Sequence, residues 1–119
     1  PNWWKELKPD KLGAVWGGEV AAERIKNFLK PATQTLYVAP DSKSACLKYL
    51  IGTYRLKPDP HGSIEILEKF WNFPADENYI DIAPPILVYA DLMASFEPRN
   101  IEAAKMLREA VIENTFHSA

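Results

Sequence analysis

IAPPILVYADLMASFEPRNIEAAKMLREAVIE, residues 82–113, is the stretch whose reading decides the fold. Pro84 and Pro85 lack N–H groups, and the first turn of a helix is where a missing donor costs least, so they mark a helix start. Ile86 to Met93 is apolar except for Asp91, which predicts a helix buried on more than one face. Pro98 pushes its predecessor out of helical geometry and pre-sets a new first turn. The reading is therefore helix, corner near Phe96–Glu97, helix.

Two charges in this motif need partners. Asp91 lies within the most apolar run of the chain, where a carboxylate without a donor is too costly to keep. Arg99 falls in a first helical turn, where the helix dipole disfavours a cation. The expectation is that Asp91 and Arg99 meet across the corner, with Asn100 tying down the loop and Tyr89 beside them, as a structural lock.

The remainder of the chain is read outward from that motif. With 119 residues, 47% hydrophobic and 25% charged, it has the size and composition of one globular domain. Residues 1–60 carry 10 basic and 6 acidic groups, a net of +4, whereas residues 61–119 carry 4 and 10, a net of −6. The acidic second half repels a phosphate backbone and suits a basic protein partner, and Glu102, Glu109 and Glu113 mark the surface to test first. No apolar run spans a bilayer and no leader begins the chain, so a soluble, unsecreted protein is expected. The single cysteine, Cys46, fits a reducing cytoplasm and a packing role. Pro1 in place of methionine points to a processed chain or to the C-terminal part of a longer protein.

Residues 1–16 form an arm rich in tryptophan (Trp3, Trp4, Trp16), whose apolar area must be covered by the domain at 17–119 or by a neighbour. Gly17 and Gly18 precede a helix over Glu19–Leu29, with Ala21, Ile25, Phe28 and Leu29 on one face. Glu19 next to the free amides argues against an anion site, and the glycines allow close backbone approach. Thr33–Val38 reads as a strand, and Lys43–Leu50 as a helix supplying Ala45, Leu47, Tyr49 and Leu50, closed by Gly52. Thr53–Lys57 and Ile64–Phe70 flank Pro58-Asp59-Pro60-His61-Gly62 and read as a hairpin, and Tyr79–Ile82 as a further short strand. The expected fold is a single mixed α+β domain in the order α-β-α-β-β-α-α, a small sheet with a hairpin flanked by helices.

The chemistry is limited by inventory. Cys46 has only His61 and His117 as candidate bases, and neither histidine belongs to a metal-binding pattern, so no cofactor or metal is expected. A divalent-metal nuclease of restriction-endonuclease-like fold would rest on Glu19, Asp59, Glu65 and Glu68. It would want a lysine two residues beyond an acid on one strand face, but Glu65 is followed by Leu67 and Glu68 by Phe70.

Three phrases together, GGEVAAERIKNFLKPATQTLYV at 17–38, YRLKPDPHGSIEILEKFW at 54–71 and APPILVYADLMASFEPRNIEAAKMLRE at 83–109, resemble the C-terminal region of AbiEi-like antitoxins of type IV toxin–antitoxin systems. The positions carrying the resemblance are Gly17, Gly18, Glu19, Phe70, Trp71, Pro84, Tyr89, Asp91, Leu92, Arg99 and Asn100. It implies a bacterial transcriptional regulator in two parts. An N-terminal winged helix-turn-helix, missing here, would bind DNA, and a C-terminal domain would oppose a nucleotidyltransferase-like toxin. It also implies a relation to nuclease-like folds without the catalytic pattern. A non-catalytic regulatory module is the expected function. The alternatives are the nuclease and a homo-oligomerisation module that buries the aromatic arm and final helix.

Overall fold

Every residue of the strand Gln34–Val38 (β2) is buried, as expected where a β-branched and aromatic run is flanked by strands on both edges. The computed structural model describes residues 3–27, 29–55, 64–71 and 81–112. On one edge β2 pairs antiparallel with Ala14–Gly17 (β1), bringing Trp16 opposite Leu36 and Gly17 opposite Thr35. On the other it pairs parallel with Ile64–Glu68 (β3), with Thr35 opposite Glu65 and Val38 opposite Glu68. The outer edge of β1 is extended by one parallel bridge between Trp16 and Ile82.

Helix α1, Gly18–Lys26, starts on the residue after β1, with no loop between. Gly18 turns the chain with φ +51°, a conformation that costs glycine little. At Gly17 an added Cβ would lie 2.4 Å from the Tyr37 ring, so the glycine pair permits the close approach expected of it. α1 buries Val20, Ala21 and Ala22 and leaves Ile25 half-buried. It ends at Lys26, short of the expected Leu29, because Asn27 turns left-handed and caps it. Phe28 lies outside the described residues.

Helix α2, Lys43–Tyr54, continues through Gly52. This removes the first arm of the expected hairpin. The i, i+4 pair Cys46 and Leu50 is buried, and Tyr54 packs on Trp3 with ring centroids 5.4 Å apart, so helical packing outweighs both the glycine and the strand propensity of Thr53 and Tyr54. With α2 as a crossover the chain returns in the direction of β2, and β3 must then pair parallel. Leu47 and Tyr49, expected to pack inward, are exposed. The turn at Pro58–Gly62 and the residues Tyr79 and Ile80 lie outside the described residues.

Helices α3, Pro85–Ala94, and α4, Pro98–Leu107, form the expected corner, each opening on a proline; a π-helical turn, Arg108–Ile112, follows. α3 buries a single stripe, Val88 and Leu92, while Ile86 is 48% exposed. The expectation of burial on several faces is corrected: α3 packs on β1, α1 and α4 through this stripe, and its opposite face, with Ile86, is left exposed. Ala103, Ala104 and Leu107 of α4 are fully buried.

The N-terminal stretch folds into the same core. Trp4 and Leu7 are buried, the Arg24 guanidinium donates to the Trp4 carbonyl at 3.0 Å, and Trp3 lies 6.0 Å from the Trp16 ring. Trp16 is inaccessible, so this aromatic surface is covered within the chain. The protein is a small α+β domain of three strands and four α-helices among the described residues, in the order β-α-β-α-β-α-α.

Candidate functional site

The junction between β1 and α1 gathers the charges that the sequence singles out. Asp91, in the second half of α3, faces it. Its Oδ1 accepts a hydrogen bond from the Tyr37 hydroxyl at 2.7 Å, and its Oδ2 accepts the Gly18 N–H at 3.2 Å. The Gly18 amide is one of the donors that a helix start leaves free. Burial pushes the Asp91 carboxyl above its ordinary value, and the bonds from Tyr37 and Gly18 pull back part of that rise. Burial, together with the bond to Asp91 and its charge, raises the Tyr37 hydroxyl well above the ordinary range.

Asp91 and Arg99 do not pair with each other, which corrects the expected bridge. Two neutral donors already satisfy Asp91. Arg99 reaches instead across to the Glu19 carboxylate in the first turn of α1 and to the Lys30 carbonyl at 2.8 Å. Both acceptors offset its unfavourable place at the start of α4. The two charges thus grip adjacent residues, Gly18 and Glu19, rather than one another.

Asn100 ties the corner, as expected, and does more. Its Nδ2 donates to Ser95 Oγ and to Glu19 Oε2, each at 3.1 Å, while Ser95 Oγ donates to the Leu92 carbonyl at 2.7 Å. Glu19 Oε1 also accepts the Ala32 N–H at 2.9 Å. Burial pushes the Glu19 carboxyl up. The bonds from Ala32, Asn100 and Thr33 and the charge of Arg99 outweigh it and hold Glu19 below its ordinary value.

Phe70 and Trp71 clasp the other side of Tyr37. Trp71 meets its ring edge-on at 5.1 Å and Phe70 at 6.1 Å, and Phe70 is 72% exposed. Pro84 caps α3, Leu92 is buried beneath the cluster, and Tyr89 packs half-buried against the core. Sequence reasoning missed Tyr37, Ser95 and Thr33 as members. Tyr37 carried one usable signal, a hydroxyl in a strand otherwise fit for complete burial.

A cavity of about 360 Å³ opens beside this cluster. Glu19, Glu65 and Asp91 line it, with Thr33, Thr35, Ser95 and Asn100, and among the described residues no Lys or Arg does. Glu19 accepts bonds from Arg99, Ala32 and Asn100 of its own chain. Among the described residues no three His, Cys, Asp or Glu are grouped so as to hold a metal ion. Cys46 is buried in α2, and burial raises its thiol. Glu102 and Glu109 are exposed; Glu113, Asp59, His61 and His117 lie outside the described residues.

Fold and site together define a small α+β module in which a helix corner is pinned to a strand–helix junction by buried polar bonds. A family model described as "Transcriptional regulator, AbiEi antitoxin, Type IV TA system" matches residues 1–113, and the chain belongs to that family. The family is one of regulatory antitoxins, which implies a toxin protein as partner. Comparison with curated proteins and with solved structures gives no match. Among the described residues no helix is long and apolar enough to cross a membrane.

Proposed function

We propose that this chain is the non-catalytic, toxin-opposing module of an antitoxin, acting in the bacterial cytoplasm against a nucleotidyltransferase-like toxin. The observation that carries the reading is the state of its polar cluster. Both oxygens of Asp91 and both oxygens of Glu19 accept hydrogen bonds from the chain itself, so these carboxylates are committed to holding the corner. Such bonds give both side chains a structural role in the corner, in keeping with a regulatory module. Operator binding belongs, in this reading, to a winged-helix part outside the present sequence.

Co-expression with a nucleotidyltransferase-like toxin of a type IV system tests the proposal. The chain should restore growth and co-purify with the toxin. Failure to do either, or magnesium-dependent cleavage of nucleic acid by the purified chain, overturns it.

A further inference from the structure

Two helices of this chain expose faces of opposite charge and matching pattern. From Lys43 to its cap, Arg55, α2 carries no acidic side chain. Its outer side presents Lys48, Ile51 and Arg55 to solvent, and Ile51 is 44% exposed. The outer side of α4 and of the π-helical turn after it presents Glu102, Met106 and Glu109, and Met106 is 40% exposed. Among the described residues none of these four charges has an ionic partner. All six residues are exposed, so the two faces do not cover each other within one molecule.

We propose that α2 of one molecule packs antiparallel on α4 of a second copy of this chain. Steps of three and then four residues lead from Lys48 to Ile51 to Arg55, and the same steps, read backwards, lead from Glu109 to Met106 to Glu102. Each set covers about two helical turns, roughly 10 Å. A single antiparallel register therefore sets Lys48 against Glu109, Ile51 against Met106 and Arg55 against Glu102. Arg55 caps α2 and Glu109 lies in the π-helical turn, so each ion pair joins a residue within one helix to one at the end of the other. In the same register Lys105, exposed between the two glutamates, falls opposite Gly52, which has no side chain to oppose it and open space around it. Leu47, 37% exposed, falls on Ala110, at a hollow of about 460 Å³ that Lys26, Met106 and Glu109 also line. Exposed ion pairs are individually weak, so the association is reversible and sensitive to salt. A two-fold axis would make the contact twice; without one, copies add head to tail. The basic partner that suits the acidic second half of the chain is, in this arrangement, the basic first half of another copy.

Sedimentation velocity of the whole chain over a dilution series tests the proposal. The average mass should rise with concentration at low salt, and the rise should fade at about 0.5 M salt. Lys48→Glu/Arg55→Glu and Glu102→Lys/Glu109→Lys should each weaken self-association at least about tenfold, because each sets like charges against one another. Their melting temperatures should stay near that of the unaltered protein, since all four side chains are exposed. Mixed in equal amounts, the two variants should associate again, as the reversed α2 of one meets the reversed α4 of the other. Ile51→Ser leaves every charge in place and should still weaken association several-fold. A chain that stays monomeric into the millimolar range overturns the proposal. So do reversed variants that associate like the unaltered protein, a mixture that does no better than its parts, and full association by Ile51→Ser, which would reduce the effect to net charge.

Discussion

Arg99 and Glu19, 80 positions apart, form an ion pair that joins the start of α4 to the start of α1. The pair is asymmetric, with the Arg99 side chain 45% exposed and that of Glu19 8%. Losing the exposed partner should therefore cost less than losing the buried one. Arg99→Ala is expected to cost about 1 kcal/mol, because water replaces the guanidinium while Ala32 and Asn100 still serve Glu19. Glu19→Ala should cost about 3 kcal/mol, since it removes a buried side chain and with it the acceptor of one buried Asn100 N–H, of the Ala32 N–H and of Arg99. Denaturant melts of the two variants check the ratio; equal costs would contradict the asymmetry.

Asp91 offers a sharper contrast. Asp91→Ala leaves the Tyr37 hydroxyl and the Gly18 N–H without an acceptor and should cost about 2–4 kcal/mol. Asp91→Asn should cost under about 1 kcal/mol. Its amide oxygen can take the Gly18 N–H while its NH₂ donates to the Tyr37 oxygen, since a phenol both donates and accepts. Thermal denaturation of both variants is the measurement, and a severe loss in the asparagine variant would show that the charge itself is required.

Gly17→Ala tests the packing of the strand–helix junction. The new Cβ would lie 2.4 Å from the Tyr37 ring, so the ring must shift and its bond to Asp91 with it. A cost of about 2–3 kcal/mol is expected from overpacking. The double variant Gly17→Ala/Tyr37→Leu should regain part of that loss, and a simple sum of the two single effects would show that the ring is not what the methyl meets.

The two carboxylates should move acid stability in opposite directions. Glu19 is held below its ordinary value, so its contribution is present above the ordinary carboxyl range and is lost as pH falls through its lowered value. The gap between unaltered protein and Glu19→Gln should therefore narrow from pH 7 toward about pH 3. Asp91 is raised by burial, so the folded state takes up that proton before the unfolded chain does. The unaltered protein should gain on Asp91→Asn as pH falls through the raised value. Melting temperatures of all three proteins across that range show both trends, and parallel curves would refute them.

Cys46 reports on the core from α2. It is 1% exposed, and burial raises its thiol, so little thiolate is available. A thiol reagent should leave the native protein unmodified for hours and label it at once in denaturant. Rapid native labelling would mean that α2 opens locally.

Much of the motif at 82–113 was legible because its signals are local. Prolines mark helix starts by geometry alone, and α3 and α4 begin at Pro85 and Pro98 as that rule requires. The need of Asp91 and Arg99 for partners was equally legible, since burial and the helix dipole act on each residue separately. Which partners they take was not. Thr53 and Tyr54 depart from their strand pattern for a related reason: strand propensity is weak, and contacts of Cys46, Leu50 and Tyr54 with distant residues override it.

By itself, then, the sequence determined an α+β domain with a proline-marked helix corner, two charges that had to be satisfied, and a glycine pair reserved for close approach. Only the tertiary structure decided that Asp91 holds Gly18 and Arg99 holds Glu19, that Tyr37 stands between the glycines and the aromatic pair, and that β3 runs parallel to β2. The physical reason is range. Caps, breaks and dipoles are settled within a helical turn, whereas the choice among distant hydrogen-bond partners depends on how the sheet and helices pack, which no short stretch of sequence encodes.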